Sequence, residues 1–192
     1  LSAPEERNWV HSASFIMPYR IFGKDHPEYF ALLENGERFK PGDRPPGHLC
    51  LSNEEMRKAG VQRLLHLIEK QGNRTYFVVT QGDGRSENWC QCSHCKALDA
   101  IPGDHMTDRL LEYVNYNARE VKKKYPGKKI LTLVYTEATS RPPERVMPDS
   151  NVGIMYCPYP PQTMCQSHGL DCPENKTGFE ELQGWIERCP DN

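Results

Sequence analysis

Apolar residues recur along the chain in short blocks that alternate with longer helical stretches. Runs with little polar alternation at 74–81 (RTYFVVTQ), 128–138 (KKILTLVYTEA) and 151–159 (NVGIMYCPY) predict buried strands, because strands covered on both faces are continuously apolar. Shorter runs at 12–19 and 48–52 predict two further strands or strand ends.

Helical periodicity occupies the segments between these runs. At 52–72 the apolar residues recur at helical spacing, and Ser52 and Glu55 have the spacing of a capping box. Residues 107–124 have the same periodicity and end in three lysines, which the helix dipole favours at a C-terminus. Two short helices are also predicted, at 26–36 and at 177–189.

The alternation of strands and helices predicts an α/β fold with a parallel sheet. A chain of 192 residues is the size of one domain, so 1–192 is predicted to be a single unit. Four or five parallel strands form either a small doubly wound domain or an arc of a barrel. Since a complete barrel takes about 250 residues, we expect a partial or compact (β/α)8 TIM-barrel-like domain, as a piece of a larger barrel protein.

Composition narrows the choice of partner and compartment. The formal net charge is -2, with 24 basic and 26 acidic residues, so no basic field favours nucleic acid or an anionic membrane. The apolar runs are far shorter than the roughly 20 residues of a membrane span. Eight cysteines favour an extracytoplasmic or secreted location. Sequons at Asn73 and Asn175 are also present, but sequons arise by chance about this often and add little.

The ends of the predicted strands supply two carboxylates. In parallel α/β folds the ligand meets the carboxyl ends of the strands, and Asp83 and Glu137 each follow such a strand. Two carboxylates on one rim can act as acid and base in the hydrolysis of a glycosidic bond. The alternative is structural: Asp83 is then the acid of a GDG turn that caps its own backbone, and Glu137 is a solvated rim residue.

Aromatic and polar residues near the same rim can form a sugar subsite, since sugars stack on aromatic faces. They can equally serve as core and rim packing. The candidates are Trp9, His11, Tyr19, Asn53, Trp89 and Tyr156.

Three closely spaced cysteines follow Asp83, in the sequence CQCSHC. The thiolates of Cys90, Cys92 and Cys95 can converge on one tetrahedral Zn²⁺, with Cys157 as the expected fourth ligand. Disulfides are the alternative, although two cysteines separated by one residue rarely bridge each other. In either case the cysteines are expected to hold the long loop from 82 to 107 in place and to take no part in chemistry.

The order of these motifs resembles a bacterial family of domains of unknown function, family 4838. The resemblance rests on HPEYFALLENGER, LCLSNEEM, TQGDGRSENWCQCSHCKALD, LLEYVNYNAREVKKKYPGKKILTLVYTEATSRPPE, NVGIMYCPY and GFEELQGW, and covers almost the whole chain. Such domains tend to sit in large secreted proteins beside carbohydrate-active modules. They resemble barrel glycoside hydrolases such as α-glucuronidases, which implies a (β/α)8 fold and a glycan substrate.

The sequence therefore predicts a carbohydrate-active domain, hydrolytic in its full-length form, with a glycan as its partner. The main alternative is a non-catalytic glycan-binding or structural module whose loop is held by zinc or disulfides. A metal-dependent redox protein is a third hypothesis, and it requires a site that binds a redox metal.

Overall fold

A computed structural model describes residues 10–40, 48–84, 86–159, 169 and 171–192. The helices are α1 (Ala13–Ile16), α2 (Tyr19–Phe22), α3 (Glu54–Lys70), α4 (Ser93–Lys96), α5 (Thr107–Lys124), α6 (Thr136–Thr139) and α7 (Lys176–Arg188). The strands are β1 (Tyr76–Val78), β2 (Lys129–Val134) and β3 (Val152–Tyr156). Short 3₁₀ turns lie at Pro27–Tyr29, Ser86–Asn88 and Pro173–Asn175.

The three strands form one parallel sheet in the order β1-β2-β3. In its register, Phe77 lies opposite Ile130, and Ile130 lies opposite Val152. All three side chains are buried, as the continuous apolar runs predict. The predicted α/β class with a parallel sheet is confirmed, although three strands do not by themselves close a barrel.

The long helix α5 covers the sheet and also packs against α3. Its buried residues Leu110, Val114, Ala118 and Val121 recur at helical spacing and form one apolar face. The bounds of α5 agree with the prediction. It follows β1 along the chain and leads into β2, so it forms the crossover between two parallel strands.

The helix α3 is also present where the sequence predicts it, but its cap differs. Asn53 is the N-cap residue, and its side chain accepts a hydrogen bond from the Met56 N–H at 2.9 Å. Ser52, the predicted cap, instead lies beside the thiols described below.

Two predictions near the start of the chain are wrong. Residues 12–19, predicted as a strand, form α1 and the beginning of α2, because Ala13, Ile16 and Met17 bury one face at helical spacing. The helix predicted at 26–36 is only a 3₁₀ turn, after which Phe30 pairs with Leu49 in an isolated antiparallel bridge. The strand predicted at 48–52 is likewise wrong, because among the described residues this segment forms only that isolated bridge.

No helix in the described ranges is both long and apolar enough to cross a bilayer.

Candidate functional site

Four cysteine side chains converge beside the loop that follows β1. The sulfurs of Cys50, Cys90, Cys92 and Cys95 all lie within 4.8 Å of one another. Cys92 caps α4 and Cys95 lies within it, so the first turn of this short helix fixes their spacing. Cys50 joins them from the segment that pairs with Phe30.

The separations between these sulfurs fit a metal site better than a disulfide. The Cys50 Sγ lies 3.8 Å from the Cys92 Sγ and 3.9 Å from the Cys95 Sγ. A tetrahedral Zn²⁺ with bonds of about 2.3 Å holds its sulfurs about 3.8 Å apart, whereas a disulfide needs about 2.05 Å. All seven described cysteines are free thiols. Four cysteines therefore stand in an arrangement compatible with a structural metal site.

Hydrogen-bond donors surround the four sulfurs, as they do in metal sites with an ordered outer shell. The Leu32 N–H donates to the Cys90 Sγ at 3.3 Å, and the Cys95 N–H donates to the Cys92 Sγ at 3.4 Å. The Ser52 hydroxyl lies 3.2 Å from the Cys95 Sγ. These contacts orient the sulfurs toward one another.

The thiols also perturb one another's protonation. Hydrogen bonds from Cys90 and Cys95 lower the pKa of Cys50, and the interaction with Cys50 raises the pKa of Cys90 to about 11. The pKa of Cys95 is raised as well, chiefly by its hydrogen bond with Cys50. Several thiolates this close repel one another unless a cation compensates them.

The fourth cysteine differs from the one predicted. Cys157 lies just beyond β3, where its N–H donates to the Val134 carbonyl oxygen at 2.9 Å, and it is not part of the cluster. Cys50 takes that position because the loop turns toward the 48–52 segment and away from β3.

Asp83 and Glu137 both follow strands of the sheet and have hydrogen-bonding partners in each other's segments. The Tyr135 hydroxyl donates to the Asp83 carboxylate at 3.2 Å, and the Ser86 hydroxyl donates to the Glu137 carboxylate at 3.2 Å. Asp83 is well exposed, and the His11 Nε2 lies 3.7 Å from its Oδ1. The loops after β1 and β2 are therefore joined at this rim.

Sequence reasoning missed Tyr135, which contacts Asp83, and His48, which lies near His11. Burial, and then the charge of Asp83, raises the pKa of Tyr135, so its hydroxyl stays protonated as a donor. Its ring lies 5.6 Å from that of His11. Burial lowers the pKa of His48 to about 3, and the nearby charge of His11 acts in the same direction. Tyr135 directly follows the last residue of β2, but the sequence predicted that strand to continue to residue 138 and so hid its position.

The residues predicted to form a sugar subsite are dispersed. His11 lies beside Asp83, and the Trp89 ring stacks on His48 with centroids 4.6 Å apart. Trp9 lies outside the described residues.

The other members of that set have structural contacts. Tyr19 packs against Phe30, with ring centroids 4.7 Å apart, while Asn53 caps α3. The Tyr156 hydroxyl donates to the Gly178 carbonyl oxygen at 3.1 Å. The structure therefore brings His11 to Asp83 and leaves Tyr19, Asn53 and Tyr156 with contacts of their own.

Comparison with known proteins gives one family match. A family model described as a domain of unknown function (DUF4838) matches residues 2–188. It confirms the family that the order of motifs indicated. No curated protein and no solved structure matches the chain.

Proposed function

The chain belongs to this family of domains of unknown function, and we propose that it is a carbohydrate-active domain that hydrolyses glycosidic bonds in the full-length protein. The observation that carries the proposal is the placement of Asp83 and Glu137 beyond two adjacent parallel strands, Asp83 in the loop after β1 and Glu137 in α6, in segments joined by hydrogen bonds. In parallel α/β folds this edge of the sheet is where ligands bind.

The pair suits glycoside hydrolysis because that reaction needs two carboxyl groups. One protonates the leaving oxygen, and the other either activates water or attacks the sugar. Tyr135 orients Asp83, and Ser86 orients Glu137, so each carboxylate has its own positioning donor. Solvent reaches Asp83, which leaves room for a glycan at this rim.

Turnover of glycans by carboxamide variants tests the assignment. The full-length protein is incubated with a panel of polysaccharides, and release of reducing sugar is measured for Asp83→Asn and Glu137→Gln. Each change is expected to lower kcat by about 10² to 10⁴-fold with an unchanged melting temperature. Glu69→Gln, an exposed position near the C-terminal end of α3, is the matched control. Wild-type turnover in both rim variants would reject the assignment.

A non-catalytic glycan-binding or structural module is the second candidate function, favoured by the four convergent cysteines, whose closed arrangement is typical of a structural metal. It predicts that wild-type protein binds glycans without releasing sugar from any of them. Binding without turnover therefore supports this candidate over the hydrolase.

We propose that Cys50, Cys90, Cys92 and Cys95 hold a structural Zn²⁺. Their sulfur separations support this, and so does the burial of three of the four side chains. With four protein ligands a tetrahedral ion has no open position for substrate. When bound, the ion supplies positive charge that compensates the thiolates and ties the loop after β1 to the segment at 48–52.

The metal content of cysteine variants shows whether Cys50 or Cys157, the ligand expected from the sequence, completes the zinc site. Elemental analysis of purified protein is expected to give one zinc per chain. Cys50→Ser is expected to lose that zinc, while the matched control Cys157→Ser keeps it. Retention of zinc by Cys50→Ser together with its loss from Cys157→Ser would restore Cys157 as the ligand.

The wider setting also follows from the proposed activity. We propose that the three-stranded sheet is part of a (β/α)8 barrel and that the protein works outside the cytoplasm on a glycan, with no nucleic-acid or membrane partner. The exposure of Asn73, in one of the two sequons, is compatible with this location, whereas Asn175 in the other is buried. Recovery of the full-length protein only from the cytoplasm would contradict it.

A further inference from the structure

Several buried polar atoms near the end of β1 have no hydrogen-bonding partner among the described residues. They are both ring nitrogens of His48, the Gln81 Oε1, the Trp89 Nε1 and the His11 Nδ1. An unpaired buried polar group costs roughly 1 to 3 kcal/mol, so a folded protein keeps several together only where something compensates them. These atoms are therefore candidates for contact with a ligand.

Contacts along the chain place these side chains at one rim. Ser12 and Thr80 exchange two hydrogen bonds, of 2.8 and 2.9 Å, so their neighbours His11 and Gln81 are held at the end of β1. The His48 ring stacks on Trp89, and the charge of His11 acts on His48, which connects the two pairs. His11, whose Nε2 lies 3.7 Å from the Asp83 Oδ1, connects the group to the proposed catalytic pair.

Backbone strain marks the same rim. Among the described non-glycine residues, His11 (φ 55°) and Thr136 (φ 58°) are the two with a left-handed backbone. They lie on either side of Tyr135, since Thr136 follows it in sequence and the His11 ring packs against its ring. Strain of this kind costs of order 1 to 3 kcal/mol and gathers at ligand sites.

We propose that His48, Gln81 and Trp89 recognise the hydroxyl groups of an uncharged sugar unit, with His11 and Asp83 at the entrance; this rests on the proposed carbohydrate function. The Trp89 indole donates, the Gln81 oxygen accepts, and a neutral imidazole does both. A hydroxyl group also donates and accepts, so it matches this mixed set.

The charge at the entrance selects against acidic sugars. Asp83 repels a carboxylate. The three side chains of His48, Gln81 and Trp89 include no lysine or arginine, and Arg109, whose charge acts on His48, is already paired with Asp99. A uronic acid or a sugar phosphate would need such a partner, because a buried anion without one is strongly disfavoured. The ligand class is therefore a neutral glycoside.

Calorimetric titration of the full-length protein with neutral methyl glycosides and with methyl glucuronide tests the proposal. A neutral glycoside is expected to bind at least about tenfold more tightly than the glucuronide. Gln81→Leu and Trp89→Phe are each expected to weaken that binding about tenfold. Trp89→Phe also leaves a cavity in the core and is expected to lower the melting temperature, whereas Gln81→Leu is not. Gln71→Leu, at the C-terminal end of α3, is the matched control and is expected to bind normally.

A second readout does not depend on the variants. The indole N–H resonance of Trp89 is expected to shift when the wild-type protein is titrated with the neutral glycoside. Preference for the glucuronide, no binding of any neutral glycoside, or an unmoved indole resonance each overturns the inference. Binding as expected but without hydrolysis would reject the proposed hydrolase and leave the recognition site intact.

Discussion

Arg109 of α5 donates a hydrogen bond from its Nη1 to the main-chain oxygen of Cys90 at 2.8 Å, while its other two nitrogens pair with the Asp99 carboxylate. Both side chains are almost completely buried. The Arg109 guanidinium therefore connects the loop that contains Cys90 to α5, the helix that covers the sheet. Its charge is compensated by Asp99 and its donors are used, which is the condition under which a buried ion pair is tolerated.

Removing this guanidinium is expected to destabilise the whole domain. Arg109→Met leaves the buried Asp99 carboxylate without a compensating charge, with only the Gly103 N–H as a donor among the described residues, and frees the Cys90 carbonyl oxygen. We expect a loss of about 3 to 5 kcal/mol in the free energy of unfolding, measured by denaturant titration.

An exposed ion pair of the same kind supplies the control for that measurement. Arg119 pairs with Asp149 near the surface, with 59% of the arginine side chain exposed, so Arg119→Met is expected to cost less than about 1 kcal/mol. Equal losses in the two variants would show that the Arg109 contact does not anchor the loop.

Chelation of the proposed zinc is expected to loosen the loop that Arg109 anchors. A ligand present at a thousandfold above its Kd stabilises the native state by about 4 kcal/mol, so a strong chelator should lower the melting temperature by roughly 8 to 16 °C. Trp89, buried next to Cys90, should become solvated and shift its fluorescence to longer wavelength.

The cysteine variants show whether the chelator acts through these thiols. Cys157→Ser is expected to respond like the wild type. Cys50→Ser is expected to melt at a lower temperature from the outset and to be insensitive to the chelator. A chelator effect that persists in Cys50→Ser would place the metal elsewhere.

The sequence correctly predicted the helices whose apolar residues recur with a clear helical period over several turns. In α5, residues such as Leu110, Val114 and Val121 recur at helical spacing over about three turns, and the same residues bury its inner face. The segment at 12–19 is too short for such a signal to dominate. Its apolar residues favoured a strand, but the contacts of Ser12 with Thr80 hold it as a short helix against the end of β1.

The candidate site was predictable only in part for a related reason. The close spacing of Cys90, Cys92 and Cys95 is recognisable in the sequence. Cys50 lies forty residues before Cys90, and only the folded loop brings it to them. His48 has no motif at all. Its two unpartnered nitrogens become visible once the chain around it is packed.

Asn53 is a candidate sugar-binding residue that the structure shows as the N-cap of α3, and variants can distinguish the two roles. The Asn53 side chain accepts from the Met56 N–H, and its amide nitrogen lies 3.4 Å from the Glu28 carbonyl oxygen. Asn53→Ala is expected to cost about 1 kcal/mol in denaturant unfolding, whereas Asn53→Asp keeps a capping oxygen and costs little. Neither change is expected to alter glycan affinity. Weakened affinity with normal stability would instead return Asn53 to the binding site.

The link between α6 and β3 depends on one buried carboxylate, Asp108 near the start of α5. It accepts hydrogen bonds from three successive backbone N–H groups, those of Glu144 at 3.2 Å, Arg145 at 2.8 Å and Val146 at 2.6 Å. The last two share one oxygen atom. The link therefore has its polar backbone groups satisfied by a side chain in place of a neighbouring strand.

Replacement of Asp108 is expected to have graded effects on stability. Asp108→Ala leaves all three N–H groups without their acceptor and is expected to cost at least about 3 kcal/mol, since hydrogen bonds to a charged group contribute roughly 1.5 to 3 kcal/mol each. Asp108→Asn keeps an oxygen for Arg145 and Val146, so it is expected to cost about half as much. Asp104→Asn, which removes an exposed ion pair with Arg141, is the matched control and should cost less than about 1 kcal/mol. Hydrogen exchange at the amides of Glu144, Arg145 and Val146 should accelerate more in Asp108→Ala than in Asp108→Asn. The reason is that the alanine variant removes the acceptor from all three N–H groups. Unchanged exchange in Asp108→Ala would mean that other contacts hold the link.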